Sequence, residues 1–538
     1  MSNLRVGGLA TGMDLESIVK DLMKVEQLKL DKLEQQKTRI QWLQEAYNSI
    51  NKTFANFILE TQKALGLARA GSSGLIKQSV SSLTWVKSAT SSNEAVLKAQ
   101  AKTNAVSGNY TFEVQQLATS WSAASKEVTD DVDLTKLGDE VILQVTVDGT
   151  ETTISLKPTD SEDMVTVTIG GNSIQVEPKL SAIAEAITKA NVGITAQFIV
   201  SDAGTGKGYF VMQATKTGSA VNVARSGGDS FFQDIGWQET PGQDAKIVMK
   251  VGNNELEFSF SSNQFSLNNI DFTIKDTGTV TVTVDTDVEG VYQKIVDFVN
   301  QYNELVDKIN SLLTEKVYRD YQPLTKEQKE AMSEKEIELW EEKAKSGLLN
   351  RDIYLSRIAQ QLRSGLYESV NGKHLTSIGI TTERYVAGSM GGKLVIDEYK
   401  LKEAIKNDVG SVLDLLFAQP GSETEDSKQR SETGVVNRIY SDLIEGMKQI
   451  INKAGHGNDA ALYRSVDSRM LLDFVSKYGS ISMLQKDMSK LNDRIYVFQQ
   501  QMLRKENQYW AQFTALEKAI NRMNAQAAWL AMQFGGQG

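Results

Sequence analysis

An enzyme needs a nucleophile, a base or a metal set, and this sequence supplies little from which to assemble one. Its two histidines, His374 and His456, lie in glycine-flanked, turn-like contexts and read as exposed loop positions. There is no cysteine. That excludes disulfides, thiol nucleophiles and thiolate metal sites, and it suits a protein that ends outside the cell without passing an oxidising folding machinery. Residues 201–208, SDAGTGKG, look like a phosphate loop at a glance. They fail in detail: Ser201 takes the first glycine position, Gly208 replaces the magnesium-holding hydroxyl, and no helix follows. The stretch reads as a turn between strands. Asp285 and Asp287, two apart at a strand end, put both carboxylates on one side, but no third ligand or acid partner accompanies them. No catalytic, cofactor or metal residue is assigned, and the reading is a non-enzyme. Among seven tryptophans, Trp42, Trp510 and Trp529 fall within long helical patterns and read as packing or interface anchors.

The elements that would position such anchors are long helices at both ends. In 481–534, apolar residues at Ile481, Leu484, Met488, Leu491, Ile495, Phe498 and Met502 alternate spacings of three and four, as a coiled-coil seam does. Lys505 then interrupts the row. It resumes at Tyr509, Phe513, Leu516, Ile520, Met523, Ala527, Leu530 and Phe534, with a slip that reads as a stutter redirecting the face of one continuous helix. The division suggested is that 481–502 pack within a leg and 509–534 are freed for other contacts. A second seam runs Leu15, Ile18, Leu22, Val25, blurs, and recovers as Ile40, Leu43, Tyr47, Ile50, Phe54 and Phe57, after a helix start at Asp14. A helix of about 50 residues is about 75 Å long, too long for the core of a compact domain. It needs a partner helix. An intramolecular hairpin satisfies both seams, and so does a stalk whose helices also meet other subunits.

Between these helices the period changes. The 538 residues imply three or four modules, and 40% hydrophobic with 23% charged residues is the composition of a soluble globular chain. A formal charge of -10 argues against nucleic acid as a partner. No apolar run reaches the roughly 18 residues needed to span a bilayer, and the N-terminus lacks a signal-peptide pattern. The organisation reads as tail and coiled-coil helix over 1–70, a flexible connector over 71–84, β-rich head domains over 85–290, a helical and mixed return over 291–480, and a coiled-coil helix and tail over 481–538. Strands are expected at 95–101, 109–115, 141–147, 152–156, 165–169, 173–176, 194–200 and 209–214, with a hairpin around 252–254 and a strand at 280–284. A helix faced by Leu180, Ile183, Ala184 and Ile187, with Ser181 as its cap, interrupts them. In the return, a helix over 291–313 is followed by a charged segment, 325–346, with capping boxes Thr325/Gln328 and Ser333/Glu336 and a stop at Gly347. Residues 420–433 read as a mobile polar loop.

These stretches resemble a known family. VGGLATGMDLESIVKDLMKVE (6–26) is similar to the start of flagellar filament-capping proteins, the hook-associated protein 2 family. NYTFEVQQLAT (109–119), the segment 180–223, QDAKIVMKVGNNELEFSFSSNQF (243–265), VTVTVDTD (280–287), VDFVNQYNELVDKI (296–309), GLLNRDIYLSRI (347–358), LTSIGITTE (375–383) and GGKLVIDEYKLKEAI (391–405) follow in the family's order. The resemblance implies an α+β multidomain protein with a long coiled-coil leg formed by both termini and two β-rich head domains inserted between them. It implies a homo-oligomeric ring at the distal tip of the bacterial flagellum that promotes flagellin folding and polymerisation. It also implies extracellular location after flagellar type III export without a cleaved signal, with a dedicated export chaperone and the hook-filament junction protein as further partners. Filament contact is expected from Leu4, Leu9, Met13, Trp529, Leu530 and Phe534. Alternatives are a tip adhesin for host surface or mucin glycans, or another axial protein such as a junction protein or flagellin. Neither a cofactor nor membrane insertion is expected.

Overall fold

The computed structural model describes residues 14–71, 74–138, 140–159, 163–202, 204–219, 221–384, 391–421, 426–466 and 482–534. The chain divides into a unit formed by Met1–Gln78 with Tyr292–Gly538 and a unit formed by Ser79–Val291.

The first unit is helical and is built from both ends of the sequence. Its N-terminal helix, Leu15–Ala64, starts where Asp14 accepts the Ser17 N–H at 3.0 Å, satisfying one of the donors a helix start leaves open. Tyr47, Ile50, Phe54 and Ile58 are 0–2% exposed. Helices Val288–Thr314, Ile353–Tyr367, Glu398–Phe417 and Val435–Ala454 supply further core side chains, among them Tyr302, Leu355, Leu401 and Leu443. Phe57 meets Phe298 at 6.0 Å and Tyr440 at 6.3 Å between ring centroids. The last helix is Met483–Phe534, continuous over 52 residues.

The charged segment forms two short helices, Lys326–Glu330 and Glu334–Lys345, each begun by a complete capping box, from Thr325 with Gln328 and from Ser333 with Glu336. Beyond it, Gly347 holds φ +74°, and a Cβ there would stand 2.7 Å from Val317 Cγ2, so only glycine fits. The segment lies against the N-terminal helix: Gln35 donates to the Pro323 carbonyl at 2.7 Å, and the Lys345 ammonium sits 5.0 Å from the centre of the Trp42 ring.

The second unit is β-rich and holds two apolar cores. One, with Val141, Val145, Ile154, Val167, Ile183 and Met212, fills the space among two sheets and helix Leu180–Ala190. The sheets run Asn172–Val176, Val165–Ile169, Thr150–Pro158, Val141–Val147, Val221–Arg225, and Ile194–Asp202, Lys207–Thr217, Ser120–Ala124, Gln238–Thr240, each in spatial order. The other core, with Leu97, Phe112, Ile247, Phe272 and Val282, is closed by the sheet Asn254–Phe260, Ala245–Val251, Gly108–Gln116, Gly278–Thr286, Lys87–Ser91 and the sheet Gln264–Leu267, Ile270–Ile274, Leu97–Ala101. Core residues between Trp121 and Ile235 build the first, whereas the second draws on sequence before and after them. One β module is therefore inserted in the other.

Three local expectations are corrected. Residues 71–84 are not simply connector: Ala68–Gly71 pairs with Gly74–Lys77, and a 3-10 turn covers Val80–Ser82. A two-stranded hairpin has too little periodicity to stand out in a serine- and glycine-rich stretch. Residues 420–433 include helix Asp426–Glu432, whose Arg430 is tied to Glu368 and Asp442 by ion pairs of 2.7 and 2.8 Å. Distant partners order it. Ser181 lies in the first turn of its helix rather than capping it, and the Asp130 carboxylate takes the Ser181 N–H at 2.8 Å and hydroxyl at 2.7 Å, so a remote side chain performs the capping.

Candidate functional site

The chemistry-bearing residues are scattered. His374 is exposed, with Nδ1 3.2 Å from the Tyr367 carbonyl; His456, half-buried rather than exposed, has Nδ1 2.6 Å from the Gly457 carbonyl. Asp285 takes the Thr286 N–H at 2.8 Å, and Asp287 takes the Gly290 N–H at 2.8 Å at the start of the following helix, so the two carboxylates serve separate local turns. Residues 201–208 join strands Ile194–Asp202 and Lys207–Thr217, and the Asp202 carboxylate organises the turn through Gly204 N–H and the Thr205 hydroxyl, each at 2.9 Å. Among the described residues no group of three His, Cys, Asp or Glu side chains is placed to hold a metal ion, and no helix is long and apolar enough to cross a membrane.

The arrangement with functional content is the pairing of the two long helices. Leu30, Leu491 and Ile495 are buried together, with Leu33, Ile40, Phe498 and Met502 packed around them. Glu26 meets Lys505, whereas Gln41 and Gln44 share a cavity wall with Gln485 and Met488, so the helices run antiparallel. Along the N-terminal helix Leu15, Tyr47, Ile50 and Phe54 are buried, and Ile18, Ile40 and Leu43 are half-buried; Leu484 is buried and Met488 half-buried on its partner. Ile481 lies outside the described residues. Leu22 departs from the expected seam, being 42% exposed. Counted from the Glu26–Lys505 pair it comes level with Tyr509, inside the slip, where the facing row has moved aside.

Lys505 is the residue that breaks the apolar row, and the structure gives it a partner. Its ammonium lies 2.6 Å from Glu26 Oε1, and Lys29 reaches the same carboxylate at 3.1 Å. The Lys505 hydrogen bond, then that of Lys29, holds the Glu26 carboxyl below its ordinary value of 4.5, and Glu26 in turn raises Lys505. A lysine in an apolar row reads as a defect only until the acid across the seam is located.

Packing does not stop at the slip. Tyr509, Phe513 and Ile520 remain half-buried, although Leu516 is 45% exposed. Exposure becomes complete at Asn521, and every residue from there to Gln533 is exposed. The boundary expected at Tyr509 thus falls about a dozen residues later among the described residues. Leu15 stands about as far before Glu26 as Leu516 does after Lys505, so the last helix outruns the described start of its partner by about 18 residues, or about 27 Å. Met523, Trp529, Leu530 and Met532 lie on this stretch, exposed by 65, 58, 45 and 78%. Leu4, Leu9 and Met13 lie outside the described residues, as does the side chain of Phe534.

Buried polar links anchor the other end of the N-terminal helix, and these left no signal in the sequence. Tyr47 donates to the Asp352 carboxylate at 2.5 Å; burial first, then this bond, raises the phenol above its ordinary value. Tyr440 donates to the Thr61 hydroxyl at 2.8 Å. Arg438, 1% exposed, donates to the carbonyls of Gly365, Glu368, Ser369, Arg430 and Thr433. One guanidinium thereby ties together the last turns of two helices and the residues that follow them.

The model of the flagellar hook-associated protein 2 C-terminus matches residues 242–525, more than half of the chain, and that of its N-terminus matches 11–121. A flagellar hook-associated protein 2 of Halalkalibacterium halodurans is 30% identical over 99% of this chain and 100% of its own length. One of Escherichia coli K12 is 25% identical over 99% of this chain and 98% of its own. The crystal structure of the D1-D2-D3 domains of the flagellar cap protein FliD from Escherichia coli aligns with a TM-score of 0.49 at 24% identity, covering 74% of this chain and 94% of that one. The chain belongs to the flagellar hook-associated protein 2 family, the caps of the flagellar filament.

Proposed function

We propose that this protein caps the distal end of a flagellar filament as a homo-oligomeric ring and promotes the folding and insertion of arriving flagellin. The supporting observation is the last stretch of the C-terminal helix, which continues past the level of Leu15, the described start of its partner helix, and has Met523, Trp529, Leu530 and Met532 exposed. Exposed apolar side chains distributed around a helix of that kind mark an interaction surface. A cap must release and rebind as subunits are added, so modest, distributed contacts serve it better than one large apolar interface. The contact set proposed is Leu4, Leu9 and Met13 together with Trp529, Leu530 and Phe534. The coiled-coil seam from Leu484 to Met502, facing Leu15 to Phe54, is assigned to holding the subunit together. The chain reaches the tip through the flagellar export channel, assisted by a dedicated chaperone, with the hook-filament junction protein as a further partner.

Deletion of the protein tests the cap reading directly. The expected outcome is abundant unpolymerised flagellin in the culture medium, and long normal filaments in the deletion strain would overturn it. Truncation of residues 1–13 tests the contact assignment separately: retained capping by the truncated protein would remove the N-terminal half of that set.

A further inference from the structure

Strand Ile194–Asp202 is the free edge of its sheet, bonded to Lys207–Thr217 on one side only. Its outer row is closed at one point. Thr188 takes the Ala196 N–H at 2.8 Å and donates to the Ala196 carbonyl at 2.7 Å, capping the edge where the helix Leu180–Ala190 ends. Those two bonds fix the direction of the ladder: backbone groups alternate sides along a strand, so Phe198 and Val200 also turn their N–H and C=O away from the neighbouring strand. Neither has a backbone partner there among the described residues. Beside them Ile199 is 46% and Val200 55% exposed. From Ile194 to Ser201 the strand carries no charge, in a chain of net charge -10. Free edges of natural sheets are usually guarded by charge. The outer strand Asn254–Phe260 of the other β module has Glu255 and Glu257 along its length, whereas here the guards stand only at the far end, where Ser201 donates to Glu127 at 2.6 Å, Asp202 follows and the pairing register shifts between Val200 and Asp202.

We propose that Phe198–Ile199–Val200 pairs antiparallel with the same segment of a second copy of this chain, about a two-fold axis at Ile199. The occupant follows from the chemistry of the edge. Phe198–Ile199–Val200 offers no charge to hold a charged partner strand, whereas self-pairing brings no like charges together across the axis. In this register Phe198 lies across from Val200 of the second copy, and the outward groups of both residues form about four backbone bonds. Ile199 meets Ile199 in the close, non-hydrogen-bonded pair on the axis, an apolar contact of the kind that stabilises cross-strand pairs. Thr188 stops the ladder at Ala196, which keeps the interface short and the association weak. The contact is separate from the filament-facing helix, so it stands or falls independently of the capping role.

The absence of native cysteine makes the test direct. In an antiparallel two-fold pair only the axial residue meets itself, at a Cα separation of about 4.5 Å that a disulfide spans. Full-length protein carrying Ile199→Cys, mildly oxidised, is expected to give a covalent dimer. Gln197→Cys, whose two copies would lie about 14 Å apart, is expected to give none. Sedimentation of the cysteine-free protein supplies the second measurement, in which Ile199→Lys should lower the association constant by about tenfold or more. No dimer from Ile199→Cys, equal dimer from both cysteine variants, or undiminished association of Ile199→Lys would each overturn the proposal.

Discussion

Two stretches of one helix are buried in different ways. Between Tyr47 and Thr61 the N-terminal helix is enclosed by several others, and Ile50, Phe54, Ala55 and Ile58 show 0–1% exposure on successive turns. Between Leu15 and Ile40 burial is patchy: Leu15, Val19, Glu26 and Leu30 are buried, while Leu22, Val25 and Leu28 are 42, 59 and 62% exposed. The same regular backbone therefore belongs to a globular core at one end and to a narrow helix seam at the other. A core side chain is held by many neighbours, whereas a seam side chain is held chiefly by one, so the seam occupies the low end of the local stability scale.

The sharpest way to break that comparison is to empty the core. Phe54→Ala should cost about 3–5 kcal/mol in urea unfolding, because the site is sealed and collapses poorly around a cavity. A loss below about 1 kcal/mol would mean that this end is no firmer than the seam. Ile495→Ala should cost less, about 2 kcal/mol, with faster hydrogen exchange confined to 15–40 and 483–520. Exchange accelerating equally through 47–61 would merge the two regions.

Glu26→Gln sharpens the account of the seam by way of pH. Because the folded carboxyl titrates below 4.5, its pairing with Lys505 contributes fully above about that pH and is lost as pH falls through the folded value. Melting temperatures of the variant and the parent should therefore differ at pH 7 and converge near pH 3, with the difference shrinking in high salt. A constant difference across that range would show that shape, not charge, sets the effect. The smallest change is expected at the free end: Trp529→Ser and Leu530→Ser should leave stability within about 0.5 kcal/mol, since nothing described packs on them. Under the cap reading the same variants should release flagellin into the medium, and normal capping would remove these residues from the contact set.

Much of the fold is legible in the sequence alone. Asp14, Thr325 and Ser333 announce their helices because capping is local chemistry between a side chain and N–H groups one turn away. Val141–Val147 and Val165–Ile169 announce themselves by alternation. The strands Ser120–Ala124 and Val221–Arg225 were missed: the first is built of small residues around Trp121, and neighbours in the sheet rather than propensity make each a strand. The helix Asp426–Glu432 was missed for a related reason, since Arg430 is ordered by acids far away in sequence.

By itself the sequence determined that both ends are long helices with one apolar row each and that β modules lie between them. Periodicity encodes which side of a segment avoids water. It does not say what covers that side. The antiparallel register, the Glu26 that receives Lys505, the exposure of Leu22, the five carbonyls around Arg438 and the point at Asn521 where the last helix loses its cover were decided by tertiary structure alone. Each depends on how far one element reaches along another, which is a matter of geometry between segments hundreds of residues apart.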